Sequence, residues 1–316
     1  MKENLEIQTA AEIIKKGGLV AFPTETVYGL GANALNPEAV ARIFEMKERP
    51  SFDPLIVHIS NLECLKLLCR SVDSRVYLLA EKFWPGPLTV VMPKSDAVHD
   101  IVTSGLESVA IRMPDHPIAL QLIKASGNPI AAPSANKFGK LSPTKAAHVK
   151  KQLPNVDYIL DGGDTSVGIE STVIALTDAG FQILRPGIIT KEEIEAVIPF
   201  DGNLILDEMK PEAPGLLKSH YSPAKPMLIL EEGVSIPKAK KIGYLAFQEI
   251  RLSVDYQILE VLSKSGDLKE AALNLFGALH RLEEADIDLI LVEPIPENGI
   301  GIAIMDRLRK AAYQYK

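Results

Sequence analysis

Short apolar runs alternate with amphipathic stretches along most of the chain, and that alternation predicts an α/β fold. Residues 9–16 read as an amphipathic helix closed by Gly17 and Gly18. Residues 18–22 follow as a short apolar strand, stopped by Pro23. Asn36 and Pro37 are an N-cap and N1 pair, because proline in the first turn loses no hydrogen bond. Val40, Ile43, Phe44 and Lys47 continue that helix at helical spacing. Strands are predicted at 55–59, 88–92, 109–113, 129–132, 157–160, 171–176 and 181–184. Helices are predicted at 75–84 and 117–125.

The pattern breaks after residue 200. Pro211, Pro214, Gly215, Pro223 and Pro226 crowd a stretch that reads as a semi-rigid linker. The alternation then restarts, with strands predicted at 227–230, 241–247 and 289–292 and a long helix at 268–285. A last helix follows Gly301, with Arg307, Arg309 and Lys310 near its end, where cations suit the dipole. The layout is therefore 1–203, a linker at 204–227, and a smaller unit at 228–316. The smaller unit shows no chemistry in its sequence; its polar residues read as solvated faces, and its role as stabilising or lid-holding.

Composition narrows the class. At 316 residues with 47% hydrophobic and 24% charged, the chain is ordinary globular material. It has no run of eighteen apolar residues and no apolar leader, so a cytoplasmic protein without membrane contact is expected. A net charge of −7 argues against a protein that coats nucleic acid. One basic stretch, with lysines at 137, 140, 145, 150 and 151, reads either as a solvated face or as an anion-facing wall. Cys64 and Cys69 form no metal pattern and are expected to be buried, reduced thiols; six scattered histidines make a zinc site improbable.

Polar clusters sit where strands end, which is where α/β sheets place ligands. Thr24, Glu25 and Thr26 follow the first strand; the glycines beyond form a loose GxGxxA that lacks the tight turn of a dinucleotide site. Lys47 and Arg49 bracket a helix end, as dipole partners or as a cationic pair for a polyphosphate. His58 lies in an apolar strand, and lone histidines there are mostly satisfied core residues. Arg112 lies in an apolar strand too and needs an anionic partner, from the protein or a ligand. Ser134 and Asn136 occupy a small-residue turn that runs on to Ser142, and Arg185 ends a later strand. This set is cationic and hydroxylic, with no nucleophile–base pair. It favours phosphoryl or nucleotidyl transfer, in which positioning and charge do most of the work.

The segments PTETVYGLG, KERP followed by PLIVHI, FWPGPLTVV, VAIRMP, APSAN, GIESTV and LRPG occur in that order. Together they resemble the YrdC-like family of threonylcarbamoyl-AMP synthases. The linker segment 213–223, ending His220-Tyr221-Ser222-Pro223, resembles that of the family's long, two-domain form. The resemblance implies a twisted mixed-sheet YrdC-like catalytic domain, a linker, and a smaller Rossmann-like α/β domain. It implies that L-threonine, bicarbonate and ATP give threonylcarbamoyl-AMP, pyrophosphate and water, for threonylcarbamoyladenosine in tRNA. Lys47 and Arg49 would be catalytic and would hold ATP with Ser134, Asn136, Ser142, Arg185 and Tyr221. Thr26, His58, Arg112 and Ser171 would hold threonine. Tyr221 would act as a lid, magnesium would ride on the ATP phosphates, and a tRNA threonylcarbamoyl transferase machinery would take the product. Two departures stand out: Leu216, Leu217 and Ser219 differ from the family's usual linker, and Asp53 stands where many members carry Asn. The alternative is an RNA-binding module of the same fold, motivated by the lysine stretch and possible tRNA contact.

Overall fold

The structure is a computed structural model that describes residues 2–202, 220–231, 241–250 and 255–313. Most of the predicted linker, including Pro211, Pro214, Leu216, Leu217 and Ser219, lies outside the described residues.

Among the described residues, nine strands form one mixed sheet. They are β1 (Val20–Phe22), β2 (Gly29–Asn33), β3 (Ile56–His58), β4 (Leu88–Pro93), β5 (Ser108–Arg112), β6 (Ile130–Ala131), β7 (Tyr158–Ile159), β8 (Thr172–Leu176) and β9 (Phe181–Arg185). Their order is β7-β1-β2-β6-β3-β5-β4-β8-β9. β3 runs parallel to β5, with His58 beside Arg112, and β4 runs parallel to β8; β4 with β5 and β1 with β2 are antiparallel. Four further strands, β10 (Met227–Ile229), β11 (Ile242–Ala246), β12 (Ile258–Val261) and β13 (Leu289–Val292), form a wholly parallel sheet in the order β10-β13-β11-β12.

The expected elements are present, with instructive differences. The first helix begins at Lys2, well before residue 9. Ile7, Ala10, Ala11 and Ile14 recur at helical spacing and pack against Ile118, Leu122 and Ile123, so tertiary burial carries the helix through its polar start. β2 was not expected, because its glycines read as a turn. Gly31 needs its missing side chain, since a Cβ would stand 2.7 Å from Phe22 and Ile130. β12 was also not expected; it is a half-buried edge strand. At the Asn36 cap, the side chain accepts from the Glu38 and Ala39 amides at 3.0 and 3.1 Å.

The two sheets share a core. Val27, Leu141 and Ile169 of the first part belong to one buried cluster with Tyr221, Phe276 and Leu279. Gly168, at φ +86°, lies so close to the helix Leu268–Glu284 that a Cβ would meet Leu273 and Ala272 backbone at 2.4 and 2.5 Å. Polar groups cross this seam as well. His280 lies 3.1 Å from the Ser142 carbonyl through Nε2, and its ring stacks on His148 at 3.7 Å. The smaller unit is thus not polar only at its solvated faces, because Arg307 and His280 are each 1% exposed. Cys69 is buried as expected, but Cys64 is only half-buried.

Candidate active site

The turn after β1, the ends of β3 and β5, the turn after β6, the loop into β8, the end of β9 and His220-Tyr221 meet around one cavity. It holds about 50 Å³, room for a few water molecules.

Arg49 reaches it because of a left-handed residue. The helix Pro37–Lys47 ends at Glu48, at φ +55°, and the Arg49 amide returns to the Phe44 carbonyl at 2.9 Å. The chain reverses there, and Lys47 and Arg49 part company. The Arg49 guanidinium pairs with the Asp53 carboxylate at 2.8 Å and donates to the Asp53 and Pro54 carbonyls. Asp53, whose role the sequence left open, is the buried counter-ion of Arg49. Lys47 lies outside the cavity wall. Its ammonium donates to the Ser134 and Asn136 carbonyls at 2.6 and 2.5 Å, and burial, then the Arg49 charge, pushes its pKa well below the ordinary value.

Arg112 ends β5 and faces Glu25. The pair lies at 2.6 Å, both side chains about 95% shielded from water, and Nη1 donates to Thr26 Oγ1 at 2.9 Å. The protein itself supplies the anion that an arginine in this strand requires. Thr24 Oγ1 accepts from the Thr26 and Val27 amides and holds the turn in place. His58 beside Arg112 is neutral, its pKa pushed down to about 3 by burial and by that cation. Arg185 folds onto Ser171, with Nε and Nη2 on its carbonyl and Nη2 also on Oγ at 3.0 Å. Ser171 Oγ lies 2.8 Å from Thr89 Oγ1.

Thr26, His58, Arg112 and Ser171, the residues expected on one side, all line the cavity. Arg49, Ser134, Arg185 and Tyr221 line it too, whereas Lys47, Asn136 and Ser142 do not. Asn136 closes its own turn, donating to the Lys137 and Lys140 carbonyls. Ser142 donates to Glu170 Oε1 at 2.5 Å. Tyr221 holds φ +59°, with its ring 5.5 Å from Phe276, and burial followed by the Glu170 charge raises its hydroxyl pKa.

Glu25, Glu170 and His220, in or beside the wall, carried no assigned substrate contact in the sequence; Glu25 and His220 were named only with their segments. Glu25 and Glu170 had a signal, since each is a lone acid beside hydroxyls at a strand boundary. Burial, then the charges of Arg49 and Lys47, holds His220 well below the usual histidine range. Of the lysine stretch, Lys137, Lys145 and Lys151 pair on the surface with Glu48, Asp164 and Glu284. Among the described residues, no group of three acids, histidines or cysteines could hold a metal ion, and no helix is long and apolar enough to cross a membrane.

Residues 12–187 match a family model described as Telomere recombination, and residues 189–313 match one described as Threonylcarbamoyl-AMP synthase, C-terminal domain. A threonylcarbamoyl-AMP synthase of Pyrococcus abyssi is 46% identical over 98% of this chain and 95% of its own length. The chain belongs to the threonylcarbamoyl-AMP synthase family. The synthase of Bacillus subtilis is 45% identical, over 97% of this chain and 93% of its own length. A crystal structure of P. abyssi Sua5 complexed with L-threonine superposes with a TM-score of 0.88 at 43% identity, covering 98% of this chain and 95% of that one. The mixed sheet followed by a parallel one is therefore the arrangement of solved members of the threonylcarbamoyl-AMP synthase family.

Proposed function

We propose that this chain makes threonylcarbamoyl-AMP from L-threonine, bicarbonate and ATP, releasing pyrophosphate and water. The observation that carries the reading is one cavity in which Arg49, Arg112 and Arg185 stand among hydroxyls, each arginine fixed by protein partners. Preorganised cations of this kind stabilise developing charge without reorganising during the reaction.

Arg49 and Arg185, with Ser134, take the triphosphate in this reading. Arg112 takes the threonine carboxylate, Thr26 and Ser171 bond its polar groups, and neutral His58 completes the wall. Lys47 serves the phosphates indirectly, by fixing the carbonyls of the turn that presents Ser134. The threonine amine is carboxylated, and the carbamate then attacks the α-phosphate. Magnesium would ride on the nucleotide, since among the described residues the carboxylates near the cavity, Asp53, Glu25 and Glu170, are already tied to arginines. There it would neutralise phosphate charge. His220 and Tyr221 line the cavity from the far end of the linker, and we assign to them the movement that admits and covers the substrates. The product would pass to a tRNA threonylcarbamoyl transferase machinery, in the cytoplasm.

Pyrophosphate release from ATP, measured with and without bicarbonate and L-threonine, tests the reading. Release that needs all three and fails in Arg49→Ala supports it; no threonine-dependent release from folded protein with magnesium sinks it. Similarity to threonylcarbamoyl-AMP synthases over nearly the whole chain favours this reading over an RNA-binding module without synthase activity.

A further inference from the structure

Glu170 poses a problem for a site built to take a polyphosphate. Its side chain lines the same cavity as Arg49, Arg112 and Arg185, and its charge is felt at Arg185. An anion admitted there would meet a carboxylate in a water-poor setting, where like charges repel strongly. Both oxygens of that carboxylate are engaged. Oε1 accepts from Ser142, and Oε2 pairs with Arg307 Nε at 3.2 Å.

Arg307 comes from the other sheet's side of the molecule. It lies on the helix Ile300–Ala312, and its side chain has 0% exposure. Its guanidinium also donates to the carbonyl of Pro186, the residue after Arg185, and meets Asp306 at 3.1 Å. The guanidinium carbon lies 5.7 Å from the centre of the Tyr221 ring, within cation–π range. One buried cation therefore touches an acid of the cavity wall, the backbone beside Arg185, and Tyr221.

We propose that Arg307 is a positioning residue of the nucleotide site, neutralising Glu170 so that the cavity wall stays positive enough to admit phosphate. The proposal rests on the ATP reading above. Without the Arg307 charge, Glu170 becomes a buried anion with no counter-ion and repels the triphosphate. Removing the Glu170 charge as well should cure that defect, because glutamine keeps the shape and can still accept from Ser142.

The test is the affinity for a non-hydrolysable ATP analogue with magnesium, by calorimetry, in four full-length proteins: the natural sequence, Arg307→Met, Glu170→Gln and the double variant. Arg307→Met should bind about ten-fold or more weakly, and the double variant should recover to within about three-fold of the natural sequence. A merely structural role for Arg307 would lower the folded fraction of Arg307→Met but leave the affinity of that fraction unchanged. Unchanged affinity in Arg307→Met, or a double variant no better than the single, overturns the proposal. If circular dichroism shows Arg307→Met unfolded, the double variant decides alone, since it buries no unpaired charge. Near-natural affinity then supports the proposal, and a loss of about ten-fold or more overturns it. If the natural sequence itself fails to bind the analogue, the ATP reading falls and takes this proposal with it.

Discussion

Around the nine-stranded sheet the chain buries Glu25, Arg49, Asp53, His58, Arg112 and Arg185 within reach of one cavity. Around the four-stranded sheet it buries mostly aliphatic side chains, such as Leu275, Leu282, Ile290, Leu291 and Val292. Its buried acid, Glu293, accepts from the Tyr244 hydroxyl at 2.7 Å. Among the described residues, its buried His280 and Arg307, like His220 of the linker, turn toward the first half. Buried charge is costly unless partnered. Here it is concentrated in two places: where a ligand would use it, and where the faces of the two sheets' halves meet.

The contrast can be broken at its strongest point first. Arg112→Met leaves Glu25 buried without its cation, and the unfolding free energy should fall by about 3–5 kcal/mol, read by denaturant titration. Threonine-dependent pyrophosphate release should vanish with it. A stability loss under about 1 kcal/mol would mean that water reaches Glu25, and that the first half is less dry than its geometry implies. In the second half, Leu291→Ala should cost about 2–5 kcal/mol of stability by opening a cavity in β13. The folded fraction should bind the ATP analogue as the natural sequence does, because no charge near the cavity changes.

Gly168→Ala probes the seam between the halves. The new methyl would press on Ala272–Leu273 backbone from a φ that suits glycine. It should lower stability by about 1–3 kcal/mol and shift the thermal midpoint down. An unchanged midpoint would show that the halves slide past each other without cost. Counted per pH unit, the smallest effect is a pH dependence. His58 and His148 stay neutral when folded, with pKa values near 3 and 4, both set first by burial. Between about pH 6.5 and those values the unfolded chain takes protons that the folded chain refuses, so stability falls as acidity rises. The slope approaches about 1.4 kcal/mol per pH unit for His58, and is less for half-buried His148, whose charge water partly screens. His148→Phe keeps a ring against His280 and should flatten the slope; a slope equal to that of the natural sequence would remove His148 from the account.

Much of this was legible in the chain before folding. Alternating apolar periods located most strands, and the Asn36-Pro37 cap located a helix start, because both are encoded within a few residues. Arg112 announced its need for an anion by standing in an apolar strand. β2 stayed hidden because Gly29 and Gly31 erase the side-chain pattern that marks a strand, and their reason lies in Phe22 and Ile130 above them. Arg307 was read as a dipole partner. Its stronger signal was its place on the apolar stripe of its own helix, one turn from Ala303, Ile304 and Ala311.

The sequence alone determined the α/β alternation, the family resemblance, and eight of the side chains that line the cavity. Only the tertiary structure decided what those side chains face. It turned Lys47 away from the cavity onto the turn that carries Ser134, gave Asp53 to Arg49 and Glu25 to Arg112, and brought Arg307 to Glu170 across 137 residues of chain. The physical reason is range. Periodicity and capping act over one or two turns, whereas the pairing of a buried charge depends on which distant surface arrives beside it when the two sheets pack.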